Sequence, residues 1–274
     1  MQQTLCSQRT MCRTAVILLV LMAAMSAAPL WAMESNEELA KKTLNPVADL
    51  ISMPLQYNQD YGIGPADAMK TYLNIQPVIP VGLNQDWNLI IRTIIPLIDM
   101  ESAGPGLKDT SGMGDITQSF FFSPKLPVDG WIVGAGPVFL YPTASHDDLG
   151  NEKWGIGPTF VVLRQEHGFT YGMLANHIWS FAGNSGRQNV SATFLQPFFS
   201  YTTKTYTSFT INTESTYDWE NSQWTVPVNF MVSQILKIGS QPISLQLGYR
   251  YYADAPANGP DWGIRVNLVF LFPK

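Results

Sequence analysis

The sequence predicts an all-β protein: an antiparallel transmembrane β-barrel of about twelve strands, set behind a cleaved signal peptide and a short leader. Three observations predict it. The chain begins like an exported protein, yet no later apolar run approaches the length of a membrane helix. Charged residues make up only 14% of it and aromatics 12%, against roughly 25% charged in ordinary soluble domains. From residue 51 to the end, strand-like blocks of about ten residues alternate apolar and polar side chains, the repeated weak pattern of bacterial outer-membrane barrels.

Residues 1–32 read as the signal peptide. Arg9 and Arg13 precede an apolar run from Ala15 to Met25, and small residues follow, with cleavage expected after Ala28 or Ala32. Cys6 and Cys12 lie inside this segment. The exported chain is therefore expected to hold no disulfide, no thiolate nucleophile and no cysteine that could carry a lipid. Loss of Arg9 and Arg13 takes the formal charge from −5 to −7. A surface so poor in cations excludes nucleic acid as a partner.

Residues 33–49 form the expected periplasmic leader. Its stretch "SNEELAKKTLNPVADL" is the one helix-like piece of the exported chain, with Asn36 read as the cap and Pro46 as the stop. The barrel occupies 50–274. Its strands are expected to begin near Ile51, Thr71, Trp87, Gly114, Trp131 and Trp154, then Phe169, Val190, Tyr206, Trp224, Ile243 and Trp262. "GLNQD", "LPVDG", "EHG", "TTK" and "KIGSQ" are short turns. Between them fall the longer "GIGPADAM", "DMESAGPGLKDTSG", "PTASHDDLGNEK", "AGNSGRQ" and "ADAPANGP". Short connections at one end and long ones at the other are the periplasmic and extracellular ends of such barrels.

Tryptophan marks the two membrane surfaces. Trp87, Trp131 and Trp154, with Trp179, Trp219, Trp224 and Trp262, all fall at ends of expected strands. Amphipathic indoles gather at the two membrane–water interfaces, so these seven read as aromatic girdles. A tryptophan in the core of a soluble sandwich would sit mid-strand, where burial is deepest.

The alternation assigns the two faces. In "TSFTINTESTYDW", Phe209, Ile211 and Tyr217 share one face and Asn212, Glu214, Thr216 and Asp218 the other. In "ISLQLGYRYY", Ile243, Leu245, Leu247 and Tyr249 oppose Ser244, Gln246, Gly248 and Arg250. The last strand sends Ile264, Val266, Leu268, Phe270 and Phe272 one way and Arg265 and Asn267 the other. In a barrel the apolar face meets lipid and the polar face the lumen. The expected lumen lining is Gln56, Asn74, Gln76, Arg92 and Asp115 in the first half, and Asn212, Glu214, Gln246, Arg250 and Arg265 in the second. The seventh and eighth strands alternate poorly, and their facing is left open.

Three stretches repeat Gly-x-Gly-Pro, at 62–65, 134–137 and 155–158. No helix follows any of them, so they do not cradle phosphate. Gly134, Gly136, Gly155 and Gly157 are expected on the lumen face of neighbouring strands, as a smooth patch that serves either curvature or the close approach of a ligand or chain segment.

The sequence offers little for catalysis. His177 and Ser180 are three residues apart on one strand and so lie on opposite faces. His146 and His167 fall in connections. No nucleophilic triad, and no enzyme, is expected. "SHDDLGNEK" gathers His146, Asp147, Asp148, Asn151 and Glu152 in one connection, but without EF-hand spacing. It reads as a solvated acidic loop, and neither metal nor cofactor is expected.

The stretches "LNPVADLISMPLQYNQDYGIGP", "NIQPVIPVGLNQDWNLIIRTIIPLI", "GDITQSFFFSPK", "KWGIGPTFVVL", "NHIWSFAG", "NTESTYDWENSQWTVPVN" and "GPDWGIRVNLVFLFPK" resemble a family of bacterial outer-membrane proteins named for the MetA pathway of phenol degradation. The resemblance runs through nearly the whole exported chain. It implies an outer-membrane barrel and passage of small aromatic or hydrophobic compounds, and it brings no catalytic motif.

The expected function is thus an outer-membrane transporter or channel for small molecules, with outer-membrane lipid and a small-molecule substrate as its partners. The alternative is a non-transporting barrel, structural or ligand- or partner-binding, whose lumen charges close into a filled polar network. The sequence specifies neither the substrate nor the oligomeric state.

Overall fold

The computed structural model describes residues 35–104 and 108–273, and the expected signal peptide lies outside the described residues. A helix, α1 (Asn36–Thr43), precedes fifteen strand segments. The first eight are β1 (Ile51–Ile63), β2 (Ala68–Ile75), β3 (Val78–Gly82), β4 (Trp87–Met100), β5 (Thr110–Met113), β6 (Ile116–Pro124), β7 (Trp131–Tyr141) and β8 (Lys153–Glu166). The rest are β9 (Phe169–Gly183), β10 (Ser191–Thr202), β11 (Thr207–Thr213), β12 (Ser215–Asp218), β13 (Gln223–Ile238), β14 (Gln241–Asp254) and β15 (Trp262–Phe272).

These segments make twelve staves, as the sequence predicts. β2 and β3 are one stave broken at Gln76 and Pro77, β5 and β6 one broken at Gly114 and Asp115, and β11 and β12 one broken at Glu214. Every pairing is antiparallel. β1 pairs β15 from Ile51–Phe272 to Tyr61–Trp262, and β9 pairs β10 along its length, so the sheet closes on itself. Closure satisfies the backbone donors and acceptors that an open edge would expose to hydrocarbon.

The tight turns 83–86, 125–130, 167–168, 203–206 and 239–240 gather at one rim. The described residues of the longer connections 101–109, 142–152, 184–190 and 255–261 gather at the other. One expected long loop is in fact short. β1 runs on to Ile63 and β2 starts at Ala68, joined by a turn with Gly62 at φ 83°, Gly64 at φ 65° and Asp67 at φ 52°. The first Gly-x-Gly-Pro serves this turn, where two positive φ values favour glycine.

The outer surface is apolar. Phe209, Ile211, Phe230, Val232, Leu247, Tyr249 and Ile264 are all exposed, while the alternate residues Asn229, Arg250 and Arg265 are buried. A soluble monomer rarely exposes an apolar patch beyond a few hundred Å²; here such residues surround the barrel, and lipid is the medium that matches them. Among the described residues no helix is long and apolar enough to cross a membrane; the strands cross it.

The tryptophans occupy both rims. Trp87 and Trp131 open strands at the short-turn rim, and Trp154, Trp179, Trp219, Trp224 and Trp262 stand at the other. Rings brace them sideways: Trp262 stacks on Tyr61 at 4.4 Å, and Tyr217 lies 4.8 Å from Trp219 and 4.9 Å from Trp224.

The strand glycines turn inward, for two physical reasons. A Cβ at Gly136 would lie 1.9 Å from the Phe120 carbonyl oxygen, and one at Gly157 would lie 1.6 Å from that of His177. At these positions neighbouring backbones approach so closely that any side chain is excluded. A Cβ at Gly155 would likewise meet Ile178 at 2.6 Å, whereas Gly134 leaves room for Val47 of the leader, 3.2 Å from where its Cβ would be. Gly157→Val should therefore cost at least about 2 kcal/mol through overpacking and displaced strand pairing. Urea titration of the refolded barrel in vesicles measures it, and an unchanged midpoint would refute the close approach.

Candidate functional site

The lumen is built in three layers along the barrel axis: a folded leader at the short-turn rim, a cavity, and a charged constriction toward the long loops. The leader supplies the first. Its helix is capped one residue earlier than the sequence reading places it. Ser35, not Asn36, is the cap: its hydroxyl accepts from the Glu38 N–H at 3.2 Å, and Glu38 Oε2 accepts from the Ser35 N–H at 3.4 Å. This reciprocal pair is a capping box, legible as Ser35 followed three residues later by Glu38. Past the helix the chain reverses. Asn45 Oδ1 accepts from the Val47 N–H at 3.0 Å and the Asn45 carbonyl from the Ala48 N–H at 3.2 Å, around Pro46.

Folded this way, the leader turns apolar side chains to the inner wall. Leu39, Ala40, Ala48 and Leu50 pack with Ile235, Val269 and Leu271. Val47 packs with Ile90, Phe121, Val161, Leu163 and Leu174. The carbonyl of Lys41 accepts from Gln165 Nε2 at 2.9 Å, fastening the helix end to β8. Leu39, Val47 and Leu50 are all at most 5% exposed. Burial of such side chains stabilises by roughly 2 kcal/mol each, offset in part by the entropy of ordering the segment.

Above the leader lies a cavity of about 210 Å³. Its floor is Leu44, Pro46, Leu50 and Leu271; Phe198, Met231 and Val78 form apolar wall. Gln56, Gln76, Arg92, Gln246, Arg265 and Asn267 form its polar side.

The constriction is a hydrogen-bonded charge network spanning five staves. Glu214, held where β11 gives way to β12, receives both Arg265 terminal nitrogens at 2.7 Å. Asn58 Oδ1 accepts from Arg265 Nε at 2.7 Å and from Arg250 Nη1 at 2.9 Å. Arg250 also donates to the Tyr72 hydroxyl, approaches Asp60 at 3.8 Å and Glu214 at 3.9 Å, and lies over the rings of Tyr72 and Tyr252. The Tyr252 hydroxyl donates to Asp60 Oδ2 at 2.8 Å. Asn58, Arg250 and Arg265 are all 3% exposed or less. Beside this cluster Arg92 Nη2 donates to Gln76 Oε1 at 2.9 Å, and Gln76 Nε2 to Gln56 Oε1 at 3.2 Å. Among the described residues Arg92 makes no ion pair. Cavity and constriction thus hold three guanidinium groups, Arg92, Arg250 and Arg265, against two carboxylates, Asp60 and Glu214.

The structure places Gln56, Gln76, Arg92, Asn212, Glu214, Gln246 and Arg265 in the cavity wall. Arg250 lies in the constriction, and Asn74 donates to Gln56 at 3.3 Å. Asp115 is engaged elsewhere: its carboxylate accepts from the Ala144 and Asn151 N–H groups at 3.1 and 2.6 Å and so ties down the 142–152 connection. Sequence reasoning passed over Asn58, Asp60, Tyr72 and Tyr252. Period-two counting reaches all four, since Asn58 and Asp60 follow Gln56 in step, Tyr72 precedes Asn74 and Tyr252 follows Arg250.

The remaining polar candidates are structural. His177 faces outward, its Nδ1 2.7 Å from Thr193 Oγ1 and its ring 4.0 Å from that of Trp179. Ser180 Oγ accepts from the Val190 N–H at 2.9 Å. The two do not meet. In the acidic loop, Glu152 pairs with Arg187 at 3.2 Å and accepts from Asn184 at 2.6 Å, joining two long connections.

No protein-family model and no curated protein matches the sequence. Among solved structures, the COG4313 outer membrane channel from Pseudomonas putida F1 is similar at a TM-score of 0.63 and 17% identity, over 82% of this chain and 96% of that one. The NanC porin is similar at 0.51 and 12%, over 82% of this chain and all of that one. At such identities the likeness concerns the fold, which is that of a bacterial outer-membrane barrel.

Removing one partner of a buried ion pair costs about 3–5 kcal/mol, because the survivor is left uncompensated. Glu214→Gln should destabilise the barrel on that scale, whereas Glu220→Gln, in an exposed turn, should change it by less than about 0.5 kcal/mol. Equal denaturation midpoints for the two variants would show that the constriction does not depend on the Arg265–Glu214 pair.

Proposed function

We propose that this protein is an outer-membrane transporter or channel for small molecules, in which the leader and the charged constriction are two barriers in series. The carrying observation is the cavity itself: a chamber inside a lipid-embedded barrel, where Leu44, Pro46, Ala48 and Leu50 of the leader offer apolar surface and Gln56, Gln76, Arg92 and Arg265 of the wall offer polar groups. A barrel that only braced the membrane has no use for a lined chamber between two closures. The fold likeness to a channel and a porin supports this reading, as does the sequence resemblance to the family of the phenol-degradation pathway. That resemblance extends the proposal to small aromatic or hydrophobic compounds as substrates.

The route runs from the long-loop mouth past Arg250 and Arg265 into the cavity, and out at the short-turn rim once the leader yields. Size and charge select at the constriction. The leader is held by apolar burial, so its displacement is set by packing and responds little to salt.

A second reading keeps the lumen shut and gives the barrel a structural or ligand-binding part. The shared hydrogen bonds of Asn58 with both arginines favour it, since they tie two buried guanidinium groups to one amide oxygen and so resist rearrangement. Planar-bilayer recording separates the two. With the full chain folded, a charge substitution of the apolar contact, Val47→Asp, should loosen the leader and raise conductance severalfold. Arg250→Glu in that background should shift the reversal potential toward cation selectivity. Conductance that stays at the bilayer baseline for Val47→Asp, in protein shown to be folded and inserted, would favour the closed lumen.

A further inference from the structure

We infer that the lumen cavity is a binding site for a small organic anion with an apolar body, of the class of a single-ring carboxylate. The inference rests on the transport reading for its biological use, but the site stands on its own geometry. Two surfaces of opposite character face each other across the cavity. Leu44, Pro46 and Leu50 of the leader, with Phe198 and Met231 of the wall, offer apolar contact; Arg92, Gln76 and Gln56 stand opposite.

The charge balance fixes the sign of the ligand. Glu214 is occupied on both oxygens by Arg265, and Arg250 has Asp60 and Glu214 close by. Arg92 donates to the neutral Gln76 Oε1, and the carboxylate near it, Glu214, is already held by Arg265. It is half-buried, away from bulk water, and it lines the cavity. A guanidinium in such a place has no directly paired carboxylate of its own, and its planar donor fork matches one. A cation there would meet Arg92 and Arg265, while the nearest carboxylate is already taken.

The volume fixes the size. About 210 Å³ is less than the roughly 300–1,000 Å³ of pockets for drug-sized ligands, but far more than one water needs. A benzene ring with one carboxylate has the matching distribution: ring toward the leader, carboxylate toward Arg92. Because the floor is the leader, an occupant touches the barrier that must move for release. Binding and passage would then be coupled through the same contacts.

The test uses the full exported chain refolded in detergent, with benzoate as probe and benzyl alcohol and benzylamine as neutral and cationic controls. Titration calorimetry should show benzoate binding at least tenfold more tightly than either control. Arg92→Gln should lose at least tenfold in benzoate affinity and leave the weak benzyl alcohol binding unchanged. Ser233→Phe, which fills the cavity from the wall without altering charge, should abolish binding of all three. Gel mobility before and after heating reports whether each variant has folded. Equal affinity for the three probes, or full benzoate affinity in folded Arg92→Gln, overturns the anion site. If Arg92→Gln does not fold, retained benzoate affinity in Ser233→Phe overturns it. Failure of the transport reading looks different: benzoate binds with this selectivity, yet no benzoate enters protein-loaded vesicles.

Discussion

Hydrocarbon solvates no backbone amide, and the whole molecule is arranged around that constraint. A sheet in lipid must close, and closing twelve staves leaves an interior wider than one layer of side chains fills. In a narrow barrel the inward residues meet and fill the lumen. Here something else must occupy the space, or water will. The chain meets this demand in two ways. On one side it folds its own leader into the lumen, with Val47 against Ile90, Phe121 and Leu163. On the other it sends in long side chains that bridge by charge, Arg265 to Glu214 and Arg250 toward Asp60.

The two devices differ in kind, and each explains features of the wall behind it. Behind the leader the inner face is apolar: Phe121, Val138, Leu163 and Leu174 are at most 2% exposed. Around the constriction it is polar, with Asn58, Asp60, Asn212 and Asn229 buried. Two of the strand breaks fall at polar residues of the cavity wall, Gln76 and Glu214. At Glu214 the break lets the carboxylate face Arg265 squarely enough for two hydrogen bonds of 2.7 Å. A bidentate pair in a low dielectric is strong only with such alignment.

This division also explains what was legible in the sequence. Strand count, closure, the rim positions of the tryptophans and the outward face follow from local patterns: tryptophan at block ends, period-two alternation, short and long connections in turn. The last strand is the clearest case, with Ile264 exposed and Arg265 buried as its alternation implies. Alternation failed in β9 and β10, and the reason is physical. Phe194, Phe198 and Leu174 point inward onto the apolar layer, so both faces of those strands are apolar and the period disappears. The partner that makes an inward phenylalanine sensible is the leader, more than a hundred residues away, and no local pattern announces it. The polar network shows the complementary limit. Parity brings Asn58 and Asp60 to the lumen, but only register and closure bring Arg250 and Arg265 to meet them.

If the barrel transports as proposed, two barriers of different chemistry would make it discriminate in a way neither would alone. A small inorganic ion interacts with the charged layer but offers nothing to the apolar contacts that hold the leader. A neutral hydrocarbon matches the apolar floor but gains nothing where guanidinium groups and amides must give up their partners. A molecule with both characters replaces lost contacts at each step, which lowers both barriers together. Low ionic conductance and solute passage are therefore compatible in this architecture. On that reading the conductance of small ions would report how far the leader fluctuates open unaided, and solute flux how far a ligand's own contacts open it.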